Sequence, residues 1–246
     1  MLVVIPVSSH DQTLIEDFCD IVRFFSLYKS HSLLVVHRPT DIKFGQIVFE
    51  RLNRKFGSST IFQFPEDGPI GWPSGPNYYW SQTIKYLHAK KNKMPWLWME
   101  IDTTPIQENW LDSLSKEYES CGKLCLGSLI ELPGETISHL DGVAVYPPNL
   151  NKICKSWKKI NPEVAFDVWC KNELHKNSAQ SKIIQQHFRS TDYMCRNVGL
   201  SGNSETMQNR GMIKKQSMIV HGCIDGSLAR LVLNKQNPIG VSYPDE

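Results

Sequence analysis

"MPWLWMEID", residues 94–102, runs through tryptophan, leucine and methionine and ends on two carboxylates, Glu100 and Asp102. The apolar part reads as a strand buried on both faces, because a half-wetted strand would alternate with polar residues. Upstream, "LVVIPV" (2–7), "HSLLVVHRP" (31–39) and "STIFQFP" (59–65) have the same character. Between them, "TLIEDFCDIVRFFSLY" (13–28) and "DIKFGQIVFERLNRKFG" (41–57) place apolar residues at helical spacing, and Gly57 reads as the stop of the second helix. "NYYWSQTIKYLHAKK" (77–91) is a third helix. Strand and helix alternate, so the chain is expected to form an α/β fold: a mostly parallel, Rossmann-type sheet flanked by helices. The last third is less regular.

Composition sets outer limits. The 246 residues suit one large domain, and 27 Lys+Arg against 25 Asp+Glu leave a net charge of +2. That balance gives no bulk reason to expect nucleic acid or membrane binding. No apolar run approaches bilayer length, and "MLVVIPVSSHD" reads as a first strand rather than a signal peptide. Seven scattered cysteines (Cys19, Cys121, Cys125, Cys154, Cys170, Cys195, Cys223) form no CxxC pair. They fit a reducing, cytoplasmic setting.

Ligands of open α/β sheets bind beyond the carboxyl ends of the strands. "PVSSHD", "HRPTD" and the Glu100/Asp102 pair are expected there. Two acids one residue apart on an extended backbone share a side, and a divalent cation would offset their repulsion. Oxygen ligands suit Mg²⁺ or Mn²⁺. The competing reading is that they only end a strand and cap a turn. "DGPIGWPSGPN" (67–77) is a rigid loop into a helix, with Asn77 either its N-cap or a donor to a ligand. "HLDGVAVYPPNL" (139–150) places Gly142 before a β-type run. "MIVHGCIDGSLARLV" (218–232) puts His221 after a short strand, as a core histidine or a metal ligand. His10 also follows a strand end.

The order of these elements, with "GWPSGPN", "PWLWMEIDTTPIQENWLDSL", "DGVAVYP", "AFDVW" and "HGCIDGSL", resembles GT-A-type nucleotide-sugar glycosyltransferases. More narrowly it resembles small, mostly phage-encoded ones. The resemblance covers roughly residues 1–232. It implies a single domain (1–246) with a nucleotide-sugar-binding half (1–114) and a less regular acceptor half (115–246). It also implies hexosyl or pentosyl transfer from a nucleotide-diphosphate sugar, a UDP-sugar foremost. Carried over, Glu100 and Asp102 stand for the D-x-D motif, with Asp102 the direct ligand, and His221 is the late metal histidine. Pro6, Ser8, Trp72, Gly75, Asn77, Glu100, Ile101 and Gly142 would line the donor site. Some retaining families add a lysine shortly after that histidine. Ile224 and Asp225 stand there instead, with Arg230 or Lys214 as substitutes for the diphosphate clamp.

The chemistry agrees with that implication, since a departing diphosphate needs an electrophile to receive its charge. An inverting reaction also needs a base. "NPEVAFDVWCKNELH" (161–175) offers Glu163 and Asp167. Asp167 lies between aromatics that would raise its pKa, although a helix-dipole role explains it equally. Two basic stretches, "LNKICKSWKKINP" (150–162) and "NRGMIKKQ" (209–216), could track phosphates, with Trp157 stacking on a base. A solvated basic face is the plainer reading. The resemblance adds a hydroxymethylated pyrimidine of double-stranded phage DNA as an acceptor, beside protein and glycan acceptors. Two other classes compete. A nucleotidyltransferase would carry a basic, Gly-rich loop after the first strand, and "PVSSHDQT" has neither feature. A non-catalytic binding module would leave the acids and histidine unexplained.

Overall fold

In a computed structural model of the protein, all four apolar runs are strands of one sheet. The structure describes residues 1–25, 27–131, 136–186, 213–222 and 226–235, and the backbone of 196–198. β1 (Leu2–Val7), β2 (Tyr28–His37), β3 (Phe56–Gln63) and β4 (Trp96–Trp98) follow one another through α1 (Ile15–Phe24), α2 (Ile42–Leu52) and α3 (Ser74–Ala89). Then come β5 (Thr104–Pro105), α4 (Trp110–Ser120), β6 (Cys125–Glu131) and β7 (His139–Tyr146). The rest is made of short pieces: α5 (Leu150–Ile153), α6 (Phe166–Trp169), α7 (Lys171–Leu174), β8 (Ser178–Gln180), β9 (Ile184–Gln186), β10 (Arg196–Val198), β11 (Ile219–His221) and α8 (Ser227–Leu233).

The main sheet runs β10-β6-β7-β4-β1-β2-β3, with β8 joined to β6. The β1–β2, β1–β4, β2–β3 and β6–β8 pairs are parallel. The β4–β7, β6–β7 and β6–β10 pairs are antiparallel. The expected α/β architecture is thus present, mostly parallel, with its mixed half formed by the later strands. A second sheet, β5-β11-β9, packs beside it.

Continuous apolar runs arise because the sheet is covered on both faces, and the period of two sorts them. Val3, Ile5, Val7, Leu33, Val35, Leu97 and Met99 join a core with α1, α2, α4 and α8. Leu2, Val4, Leu34, Val36, Trp96 and Trp98 join another with α3 and α5–α7. Each fully buried side chain of this size is worth roughly 1.5–3 kcal/mol, so together the two cores fix the sheet.

Several boundaries differ from expectation, and three of them bear on the site or its frame. Helix α2 stops at Leu52, and Gly57 lies inside β3 rather than ending the helix. A Cβ on Gly57 would collide with the Lys29 carbonyl oxygen of the neighbouring strand, so the glycine serves strand pairing. Helix α3 starts at Ser74, three residues early, because Pro76 is tolerated within a first turn. Asn77 is therefore not an N-cap. Strand β4 ends at Trp98, and the acids sit in a turn closed by Thr103 N–H donating to the Glu100 carbonyl at 3.0 Å.

Candidate functional site

Because β1, β2 and β4 are parallel, their carboxyl ends open on one side, where the chain reverses from β1 to β2 on one flank and β4 on the other. A cleft of about 610 Å³ lies there. Pro6 and Ser8 enter it from β1, Arg38 from β2, and Trp98, Glu100, Ile101 and Asp102 from β4. Its far wall is the 71–76 stretch at the entry to α3, with Trp72 and Gly75. His10 and Asp11 complete the β1 side.

His221 reaches this end through the small sheet. Val220 pairs with Thr104 in antiparallel register, so the next residue, His221, comes opposite Thr103 and beside Asp102. One ligand atom each from Glu100, Asp102 and His221 lie within 4.8 Å of one another. His221 Nε2 stands 3.4 Å from Glu100 Oε2 and 3.3 Å from Asp102 Oδ1. The structure thus brings together the three residues expected to hold a metal. His10 lines the same cleft but is not part of this cluster.

Glu100 and His221 are each held by a neighbour outside the trio. The Trp98 indole N–H donates to Glu100 Oε1 at 2.9 Å, and Trp98 is fixed edge-on to Phe166 in the aromatic core. Gly142 leaves room for that carboxylate: a Cβ there would come 3.4 Å from Glu100 Oε1 and 3.2 Å from Phe166. Gly142 therefore supports the site from β7 rather than lining the cleft. His221 Nδ1 lies 2.9 Å from Asp141 Oδ2. In the neutral imidazole that contact places the proton on Nδ1 and leaves the Nε2 lone pair facing the two acids. Asp141 was not singled out from the sequence. Within "HLDGVAVY" it looks like one polar interruption of an apolar strand, and only its pairing with His221 gives it meaning.

The protonation states reflect this crowding. Burial alone would lower the His221 pKa, but the charges of Asp102 and Asp141 outweigh it and hold it well above 6.5. Burial pushes the Asp11 carboxyl up to about 6 against hydrogen bonds from Ser8, with Glu100 and Asp102 adding to the rise. Ser8 donates to Asp11 through both its N–H and its hydroxyl, each at 2.9 Å. Asp41, at the end of β2, accepts from Arg38 Nε at 2.7 Å and from Ser9 N–H at 3.0 Å, and the Tyr79 hydroxyl lies 2.7 Å away. That buried network ties β1, β2 and α3 beneath the cleft.

Asp167 sits behind the Glu100, Asp102 and His221 cluster, 3.8 Å from His139 Nε2 and 15% exposed, and it does not line the cleft. Burial, then the charge of Asp141, raise its pKa to about 7. A carboxyl that keeps its proton in the fold loses stability as pH rises from its ordinary value of 3.8 to about 7, and no further above that. Asp167→Asn should therefore raise the melting temperature by a margin that grows between about pH 4 and pH 7 and then levels off. The upper bound is about 4 kcal/mol. A margin independent of pH, measured by thermal denaturation across that range, would refute the assignment.

Other expectations move. The Asn77 side chain is buried, and its amide donates to the carbonyls of Asn161 (3.2 Å) and Val164 (2.9 Å), outside the cleft. It holds the 161–164 loop and does not reach the cleft. Trp72, by contrast, is 80% exposed on the cleft wall. Asn77→Ala should cost about 1–3 kcal/mol of stability through its two orphaned carbonyls. Trp72→Ala should leave the melting temperature in place and weaken ligand binding several-fold. The reverse pattern in paired melting and titration experiments would restore Asn77 to the site. Trp157 is 9% exposed within the second core, so it cannot stack on a base as expected. Arg230 donates to Asp17 at 2.6 Å, and neither it nor Lys214 lines the cleft. Cys195, Cys223, Ile224, Asp225 and residues 209–212 of the second basic stretch lie outside the described residues. Glu163 is exposed and away from the cleft.

No protein-family model matches the chain, and no curated protein does. Solved structures do. A galactosyltransferase, LgtC, in complex with donor and acceptor sugar analogues, superposes with a TM-score of 0.60 at 10% identity over 95% of this chain and 94% of its own. Mouse xyloside xylosyltransferase 1 superposes with a TM-score of 0.54 at 10% identity, over 90% and 96%. The fold is that of GT-A glycosyltransferases. Among the described residues, no helix is long and apolar enough to cross a membrane.

Proposed function

We propose that the chain is a metal-dependent glycosyltransferase that moves a sugar from a nucleotide-diphosphate donor, foremost a UDP-sugar, to an acceptor hydroxyl. One observation carries the reading: two carboxylates and an imidazole converge within 4.8 Å at a strand-end cleft, with Glu100 anchored by Trp98 and His221 by Asp141. Two oxygens and one nitrogen suit Mn²⁺ or Mg²⁺, and open positions would remain for phosphate oxygens. A divalent cation held by Asp102, Glu100 and His221 would supply the positive charge that a departing diphosphate needs.

The chain's own residues supply the rest. Trp98 fixes the Glu100 carboxylate, and Asp141 fixes the ring of His221 and raises its basicity. Trp72 and the entry to α3 would wall off the donor from water. Asp167, the expected base of an inverting reaction, does not line the cleft, so no proton transfer from an acceptor is assigned to it. The acceptor remains the finer question. With Trp157 buried, a DNA acceptor rests on the resemblance and on exposed lysines alone.

The test is hydrolysis of a panel of nucleotide sugars with and without Mn²⁺, without added acceptor. Slow, Mn²⁺-dependent release of a nucleoside diphosphate is expected. Release of a nucleoside monophosphate, or pyrophosphate exchange with a sugar phosphate, would instead indicate a nucleotidyltransferase.

A further inference from the structure

Two segments of the chain carry eight lysines and no acidic residue. Residues 81–93, the second half of α3 and the turn after it, hold Lys85, Lys90, Lys91 and Lys93. Residues 150–162 hold Lys152, Lys155, Lys158 and Lys159. All eight are exposed, and none forms an ion pair with a described residue. They contribute +8 to a chain whose net charge is +2, so the remainder carries −6. The fold brings the two segments together. Lys85, Lys158 and Lys159 line one depression, and the Asn151 amide of α5 lies 3.1 Å from His88 Nδ1 near the end of α3.

A few scattered lysines would mean a solvated face. Here the near-neutral total hides a strong local field, and like charges held together destabilise the fold unless an anionic partner offsets them. Glu163, just after the second segment, and Glu173, which accepts from the Ser156 N–H at 2.9 Å, border the face and offset only part of it. Three features select the partner. All eight cations are lysines, compact point charges on flexible stems, whereas groove and phosphate recognition in nucleic acids favours the arginine fork. The aromatic residues offer no stacking platform for bases: Tyr86 is stacked on Phe62 with ring centroids 3.9 Å apart, and Trp157 is 9% exposed in the second core. Met94, finally, is 38% exposed directly after Lys93, in a turn where the Asn92 side chain donates to the Met94 carbonyl at 2.7 Å and accepts from its N–H at 3.2 Å. An apolar side chain fixed among lysines gains from contact with acyl chains and nothing from a phosphate backbone.

We propose that this face docks on an anionic lipid bilayer, with the lysines drawn to the headgroups and Met94 dipping below them. The depression lined by Lys85 and the strand-end cleft flank one stretch of chain: Ser74 and Asn77 line the first, Trp72 and Gly75 the second. Docking would therefore hold the cleft near the lipid surface. The surface does not depend on the chemistry assigned to the cleft.

The experiment is co-sedimentation of the full chain with phosphatidylcholine vesicles containing about one-third phosphatidylglycerol, and with pure phosphatidylcholine vesicles, at about 0.1 M salt. The chain should bind the anionic vesicles and not the neutral ones. Lys85→Ala/Lys90→Ala/Lys91→Ala/Lys93→Ala should weaken that binding at least tenfold. Lys43→Ala/Lys116→Ala/Lys123→Ala/Lys182→Ala, which removes four other exposed lysines, should weaken it less than threefold. Met94→Gln, with no change of charge, should weaken it about two- to threefold. A short DNA duplex at the same salt should bind more weakly than the anionic vesicles and be indifferent to Met94→Gln. No binding to anionic vesicles, or equal losses in the two quadruple variants, would overturn the docking face. A duplex bound as tightly as the vesicles and lost with the same lysines would overturn the choice of lipid as the partner.

Discussion

Asp102→Ala is expected to abolish sugar transfer, with a fall of at least about 10³-fold, and to leave the fold in place. The size follows from the role. A cation that neutralises developing diphosphate charge is worth several kcal/mol, and each 1.36 kcal/mol is about tenfold in rate. Asp102 is 18% exposed in the turn after β4, with Oδ1 3.3 Å from His221 Nε2. It lies outside both cores, so its loss opens no cavity in them. Mn²⁺-dependent UDP binding by calorimetry should vanish with the activity, while the melting temperature moves by no more than a few degrees. Glu100→Ala should do less harm to metal binding, because one Glu100 oxygen is already engaged by the Trp98 indole. Unchanged Mn²⁺-dependent UDP binding in Asp102→Ala would remove the acid pair from the site. Activity that survives in both single variants would have the same force.

That acid pair is legible in the sequence, and the reason is physical. A strand buried on both faces can show carboxylates only where it leaves the sheet, so "MPWLWMEID" marks both a buried strand and its functional end. The strand-end rule also picked out "PVSSHD" at the end of β1, where Pro6 and Ser8 line the cleft. What stayed hidden depends on pairing across long separations. Strands β5 and β11 have two and three residues, too few for any period to register, yet their pairing carries His221 to Asp102. Asp141 meets His221 from eighty residues away, inside a strand whose every residue is buried. A lone aspartate in such a run gives no local sign of its partner. Asn77 misled for a simpler cause: the proline-rich entry to α3 read as a loop, and the amide then looked free for a ligand. Trp157 misled in a similar way. Lysines on both sides suggested an exposed strip, whereas Trp157 is only 9% exposed and belongs to the second core.

The pairing of His221 with Asp141 changes the expected pH dependence of the site. An isolated imidazole would release its proton near 6.5, so metal binding would fail only below about pH 6. Here burial disfavours the imidazolium, but Asp102 and Asp141 more than offset that and hold the proton well above the ordinary value. A metal must displace this proton, so its apparent affinity should keep rising through neutral pH, by up to about tenfold per pH unit. The sign for stability is opposite without metal. Because the folded-state pKa is raised, the contribution of His221 is full below about 6.5 and fades as pH climbs through the folded value. The rise in melting temperature on adding a fixed concentration of Mn²⁺ should therefore be small at pH 6 and grow steadily to pH 8. Asp141→Asn separates the two roles of that carboxylate. It keeps the volume but removes the charge, so the proton should leave His221 at lower pH and the pH dependence should flatten. The lost support for the ring should still weaken Mn²⁺ by about 10–100-fold at pH 8. If the Mn²⁺-induced gain in melting temperature is the same at pH 6 and pH 8 in the unaltered chain, no proton leaves on binding and His221 is not a ligand.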